Sequence, residues 1–190
     1  MTDLRPAASP TPRAQLAMDK LIDAAERLYA EHGFAGVSIR QISDAAGQRN
    51  KSVVQYHFSN RDELIKAIIA RHVAPVDRIR LAMVAELADK PEMTLRDRVA
   101  CFVLPTIRHL IDLGTPSWHA RFMAQAFVEP NLRAYAIQSH TESESMRLLR
   151  GLLDTREQDP REVTPVMSAM IRQLAVHICA ELEYDLAHGR

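Results

Sequence analysis

Apolar residues recur along this chain at steps of three and four, the spacing of one helical face, and no stretch alternates convincingly at period two. Met18, Leu21, Ile22, Ala25, Leu28 and Tyr29 form one such stripe, with Lys20, Asp23, Glu26 and Arg27 lying off it. His32-Gly33 ends that helix, Gly33 being suited to a left-handed C′ position. Ser38 then caps a second helix, Gln41 completes a capping box, and Val37 and Ile42 stand as a hydrophobic staple. This helix stops at Gly47 after two turns, too short to be stable alone, so it must pack on its neighbours. A polar turn, Gln48-Arg49-Asn50, leads to a third short helix, Lys51 to His57, closed by Phe58. Ser59 or Asn60 caps a fourth, with Asp62 and Glu63 in its first turn and Leu64, Ile65, Ile68 and Ile69 as its buried face.

Pro75 predicts a break or kink. Further helices are expected over about 76–89, 94–112, 116–128, 131–154 and 160–188, separated by proline- and glycine-containing joints, with Pro105 kinking one of them. The pattern is that of an all-α protein: an N-terminal three-helix helix-turn-helix unit over 13–72, then a larger helical domain over 73–190. Residues 1–12, rich in Pro, Ala, Ser and Thr, read as a disordered arm.

Hydrophobic residues make up 47% of the 190, enough for a sizeable core, and the scarcity of aromatics favours helix over sheet. A formal net charge of zero conceals an asymmetry. Residues 38–72 hold six Lys or Arg against three acids, whereas 73–190 hold fourteen basic residues against sixteen acidic ones. A local excess of this kind suits nucleic acid more than the overall total suggests, though a solvated face accounts for it equally. Cys101 and Cys179 belong to no C-x-x-C or Cys/His cluster and read as small buried hydrophobes. No segment has the length of a membrane span or the apolar run of a signal peptide, so a cytoplasmic protein is expected.

A long helix followed by two very short ones, joined by a polar turn led by glycine, is helix-turn-helix grammar. The second short helix must be narrow and polar on one side to enter a major groove. Asn50, Lys51, Ser52 and Gln55 supply amides, a hydroxyl and a cation near its start. Gln reads adenine bidentately and Lys reads guanine, while one of Val53 and Val54 is placed for a thymine methyl and the other for the core.

Residues 16–69 resemble the DNA-binding domain of the tetracycline-repressor (TetR) family, through LIDAAERLYAEHGFAGVSIRQISDAAG and VVQYHFSNRDELIKAI. The interval from Gly47 to Phe58 is one residue longer than the family's usual spacing, which shifts Gln48, Arg49 and Asn50 within the turn. The resemblance implies phosphate contacts from Ser38 and Arg40 on the second helix, from Tyr56 and His57 at the end of the recognition helix, and from Arg61, which stands where the family has Lys. Lys51, Ser52 and Gln55 are the candidates for base edges, with Arg49 and Asn50 beside them. Helix N-termini and basic side chains attract phosphate without sequence preference. Other readings stay open: capping alone accounts for Ser38, Tyr56 and Phe58 also fit a core, and Arg40, His57 and Lys66 also fit a solvated surface.

The second half carries no equally readable motif. The resemblance implies a ligand-binding and dimerisation domain whose last two long helices, 131–154 and 160–188, form a four-helix bundle with those of a partner. Val163, Met167, Met170, Ile171, Leu174, Ile178 and Leu182 make a broad stripe that suits such an interface or an internal core. A pocket for an apolar effector is expected among Phe102, His109, Trp118, Phe122, Met123 and Phe127, where ordinary core packing is the competing account. His109 and His119 lack a third ligand at a recognisable spacing, so neither a metal site nor a cofactor is expected.

No Gly-rich phosphate loop, nucleophile–base pair or paired acids appear, so no enzyme is expected. The reading is a homodimeric regulator of double-stranded operator DNA, acting as a repressor that a small molecule releases from a palindromic site by shifting a conformational equilibrium. A transcriptional activator, or a helical interaction protein without a small ligand, is the alternative.

Overall fold

The computed structural model describes residues 11–48, 53–154 and 165–190, and every element among them is helical. Helix α1 (Pro12–His32) starts where Thr11 accepts a hydrogen bond from the Ala14 amide, so the predicted arm of 1–12 gives up its last two residues to a capped helix; residues 1–10 lie outside the described residues. Gly33 ends α1 at φ 75°, where its amide donates to the Tyr29 carbonyl. Ser38 and Gln41 form the expected capping box of α2 (Ile39–Ala45), and Val37 and Ile42 are both buried beside it. Between them Gly36 has no room for a side chain, because a Cβ would collide with the His32 carbonyl. Helix α3 (Val53–His57) is the described part of the third predicted helix, and Asn60 caps α4 through the Glu63 amide.

Helix α4 (Arg61–Ala88) departs from the sequence pattern. It runs unbroken through Pro75, where a separate helix over 76–89 was expected, and the predicted domain boundary at 72/73 falls inside it. Proline removes one backbone donor. The helix continues because both flanks are anchored: Ile68, Ile69 and His72 are buried before Pro75, and Val76, Arg80 and Val84 after it. Next comes α5 (Leu95–Leu113), capped by Thr94 and Asp97 and keeping Pro105 inside it.

Helix α6 (His119–Ala126) has no side-chain cap of its own at Trp118. Glu183 supplies one from α9 (Pro165–Ala187), accepting from the Ser117 hydroxyl and from the Ala120 and Arg121 amides. The predicted helix 131–154 is two helices, α7 (Arg133–Thr141) and α8 (Glu144–Asp154). The break has a partner on α4: Asp77 accepts from both the backbone amide and the hydroxyl of Ser145, satisfying a donor at the α8 start. Arg80 completes this buried knot by donating to Ser145 Oγ and to the Cys101 carbonyl.

Two cores result. The larger joins α1, α2, α3 and the first half of α4 to Phe122, Met123, Ala126, Phe127, Leu132 and Ala136. The smaller gathers Val84, Leu87, Cys101, Met146 and Leu149. Cys101 and Cys179 are buried free thiols. No described helix is long and apolar enough to cross a membrane.

Candidate nucleic-acid interface

The described part of helix α3 spans five residues, less than two turns, so tertiary contacts must hold it. Val54 and Phe58 do so from its two ends, at 1% and 5% exposure within the larger core. Tyr56 projects the other way at 83% exposure, its ring edge-on to His57 at 5.0 Å. Burying a tyrosine ring is favourable, so a ring left almost wholly in water beside a packed core marks a face kept open. Among the alternatives left by the sequence, Phe58 is core and Tyr56 is surface.

On α2, Arg40 is exposed and pairs loosely with Asp44 at 3.8 Å, an ion pair worth little in water. Ser38 is exposed, but its amide and hydroxyl both face Gln41 Oε1, at 2.8 and 2.7 Å, so the capping box already uses them. Arg61 turns inward from α4. Its guanidinium donates to the Tyr29 hydroxyl at 3.2 Å and to the Phe34 carbonyl, and lies 5.3 Å from the Tyr29 ring centroid. It brackets the end of α1 to the start of α4, where the family resemblance implied a phosphate contact. The candidates Arg49, Asn50, Lys51 and Ser52 lie outside the described residues, as does the side chain of Gln55 on α3.

The residues expected around an effector scatter over two environments. Phe122, Met123 and Phe127 are fully buried in the larger core, and Phe122 packs edge-on against Phe34 at 5.6 Å and tilted against Tyr29 at 6.4 Å. Trp118 is half-buried against the same core, whereas Phe102 packs on the smaller one. Thus α6 belongs to the joint with the helix-turn-helix unit. Gln125 strengthens that joint, donating from Nε2 to the Tyr29 and Ala30 carbonyls at the C-terminal end of α1. His109 sits apart from the aromatic residues, in a buried polar group with His119, His72 and Glu26. The sequence pattern paired His109 with His119 and missed the other two, which come from distant helices.

The C-terminal helix carries the apolar stripe. Met170, Leu174, Ile178 and Leu182 follow one another at four-residue steps, and all four are exposed. Leu148 on α8 is exposed as well.

Residues 21–68 match the sequence profile of the family described as bacterial regulatory proteins, tetR family. The chain is similar to the HTH-type transcriptional repressor NicS of Pseudomonas putida, 27% identical over 145 residues that cover 75% of this chain and 64% of that protein. An uncharacterized HTH-type transcriptional regulator of Mycobacterium tuberculosis is 30% identical over 83 residues, 44% of this chain and 41% of its own length. The match thus spans less than two thirds of either relative. Among solved structures, a TetR family transcription regulator from Marinobacter aquaeolei superposes with a TM-score of 0.54 at 18% identity, covering 92% of this chain and 95% of its own, a likeness of fold.

Proposed function

We propose, from the match of residues 21–68 to the tetR family of bacterial regulatory proteins, that this protein is a dimeric transcriptional repressor that binds a palindromic operator. The observation that carries the reading is α3 itself: a short helix pinned by Val54 and Phe58 that turns an exposed Tyr56 away from the core, with a half-buried His57 beside it. Such a helix enters a major groove by its N-terminal end, which is where Lys51, Ser52 and Gln55 meet base edges and Arg49 and Asn50 lie alongside. Arg40, Tyr56 and His57 then sit at the flanking phosphates, which fix register without reading sequence.

A single α3 covers one half-site. The exposed stripe Met170, Leu174, Ile178 and Leu182 on α9, with Leu148 on α8, supports a twofold dimer that presents two. The joint built by Phe122 and Gln125 supports effector control. It ties the helix-turn-helix unit directly to α6, so a rearrangement of the larger domain changes the aim of α3.

The test is fluorescence anisotropy with inverted repeats from the region upstream of the gene, over a salt series. Wild-type protein is expected to bind one repeat with a steep salt dependence. Tyr56→Ala is expected to weaken it about tenfold, the loss of one hydrogen bond to a charged group, with the melting temperature unchanged because the ring is exposed. No binding to upstream DNA at low salt, or equal affinity in the variant, refutes the assignment.

A further inference from the structure

Four polar side chains that DNA binding does not use meet where the two halves of the chain join. Glu26 comes from α1, His72 from α4, His109 from α5 and His119 from the first position of α6, and all four are buried. Glu26 Oε1 lies 2.9 Å from His72 Nε2 and 3.6 Å from His119 Nδ1. His72 Nδ1 lies 2.8 Å from His109 Nε2, and the His72 and His119 rings stack at 3.8 Å. One ring nitrogen from each histidine falls within 4.8 Å of the other two.

The proximity is not resolved by hydrogen bonding. Glu26 Oε1, His72 Nε2 and His119 Nδ1 are buried without an aligned hydrogen-bond partner among the described residues. A metal-free network accounts for the His72–His109 pair but leaves these three atoms, the two nitrogens at 2.9 and 3.6 Å from Glu26 Oε1, without an aligned hydrogen bond. Two donors that share a cation at about 2.1 Å stand about 3.0 Å apart in octahedral and about 3.4 Å apart in tetrahedral geometry. The separations of 2.9 and 3.6 Å bracket those values.

Arg71 holds the other oxygen of the Glu26 carboxylate, Oε2, at 3.4 Å, an outer contact that orients Oε1 toward the histidines.

We propose that Glu26, His72, His109 and His119 bind one divalent first-row transition ion, Zn²⁺ foremost, and that this ion is an effector of the protein. Three imidazoles and one carboxylate select such an ion over Mg²⁺ or Ca²⁺, which prefer oxygen. The effector half rests on the DNA-binding reading above. Glu26 and His72 stand on the two helices that frame the helix-turn-helix unit, and His109 and His119 on helices outside it. An ion that draws all four together fixes one relative orientation of the two sides, and it must therefore bias the equilibrium that sets operator affinity.

The site is tested on the full chain without DNA. Protein stripped with EDTA is titrated with Zn²⁺ against a chromophoric chelator, and with Co²⁺ while its visible ligand-field bands are followed. One ion per chain and a Co²⁺ spectrum of nitrogen-rich coordination are expected. His109→Gln and His119→Gln are expected to lose more than about a hundredfold in affinity, beyond the usual cost of an outer-contact change, while exposed His177→Gln matches wild type. Circular dichroism reports whether each variant folds. Absence of a Co²⁺ spectrum and of Zn²⁺ retention in wild-type protein overturns the site, whatever the variants do. Anisotropy with operator DNA then reads the effector role: Zn²⁺ is expected to change wild-type affinity by about 5- to 150-fold and to leave His109→Gln unaffected. Metal binding with unchanged operator affinity overturns the effector half alone. Metal binding by a protein that binds no operator supports the site and places the failure in the DNA-binding reading.

Discussion

Truncating Phe122 to alanine tests whether the helix-turn-helix unit and α6 share one core. The ring is fully buried and packs against Phe34 at 5.6 Å and Tyr29 at 6.4 Å, across the joint between α6 and the end of α1. A Phe→Ala change in a tight core costs about 3–5 kcal/mol, of which each aromatic pair supplies about 0.5–1.5. For a chain of this length that corresponds to a fall in melting temperature of about 6–20 °C. The assay is urea denaturation at one fixed protein concentration, since dimer formation would otherwise move the midpoint by mass action. Trp118 is the only tryptophan and lies at the start of α6, against the shared core, so its fluorescence reports the joint while far-UV circular dichroism reports all helices. The two signals are expected to shift together by the stated amount. A loss below about 1 kcal/mol would show that Phe122 lines a space able to absorb the change, as a pocket residue does, and separate transitions would show that the joint does not couple the two sides.

Leu174→Glu on α9, at 64% exposure, is expected to convert the proposed dimer to folded monomer in sedimentation velocity. Withdrawing a buried leucine costs about 1.5–3 kcal/mol and symmetry counts it twice, so the dissociation constant should rise more than about a hundredfold; an unchanged dimer would place the interface elsewhere. His140 gives a pH signature: burial lowers it to about 4, so the folded state holds it neutral while the unfolded chain protonates near 6.5. Its stabilisation is therefore complete above pH 6.5 and is lost as pH falls toward 4, and wild type should lose about 1–2 kcal/mol more than His140→Gln between pH 7 and 5; parallel curves for the two proteins would refute this.

Local chemistry explains which features were legible without coordinates. Ser38 with Gln41, Asn60 with Glu63, and Gly33 act within one helical turn, so the end of α1 and the starts of α2 and α4 follow from neighbours in the chain. The short pair α2 and α3, the burial of Phe58 and the apolar stripe on α9 follow from the same short range. The resemblance added the identity of the unit and its candidate phosphate contacts, of which Arg40 and Tyr56 are exposed and His57 is half-buried. The four candidates from Arg49 to Ser52 rest on the sequence alone.

Partners far along the chain decided the rest. Pro75 reads as a break, yet α4 passes through it because residues on both sides are anchored in cores that a local pattern does not show. The run 131–154 reads as one helix, yet Asp77, almost seventy residues earlier, captures the Ser145 amide and makes it two. Arg61 carries the same charge whether it meets a phosphate or the Phe34 carbonyl, and only the approach of α1 to α4 turns it inward. Glu26 lies off the apolar stripe of its helix and His72 beyond the matched residues 21–68, and four helices must close before they stand beside His109 and His119. Helix periodicity repeats every few residues and is written in the chain, whereas the meeting of side chains from four helices exists only after the core has packed.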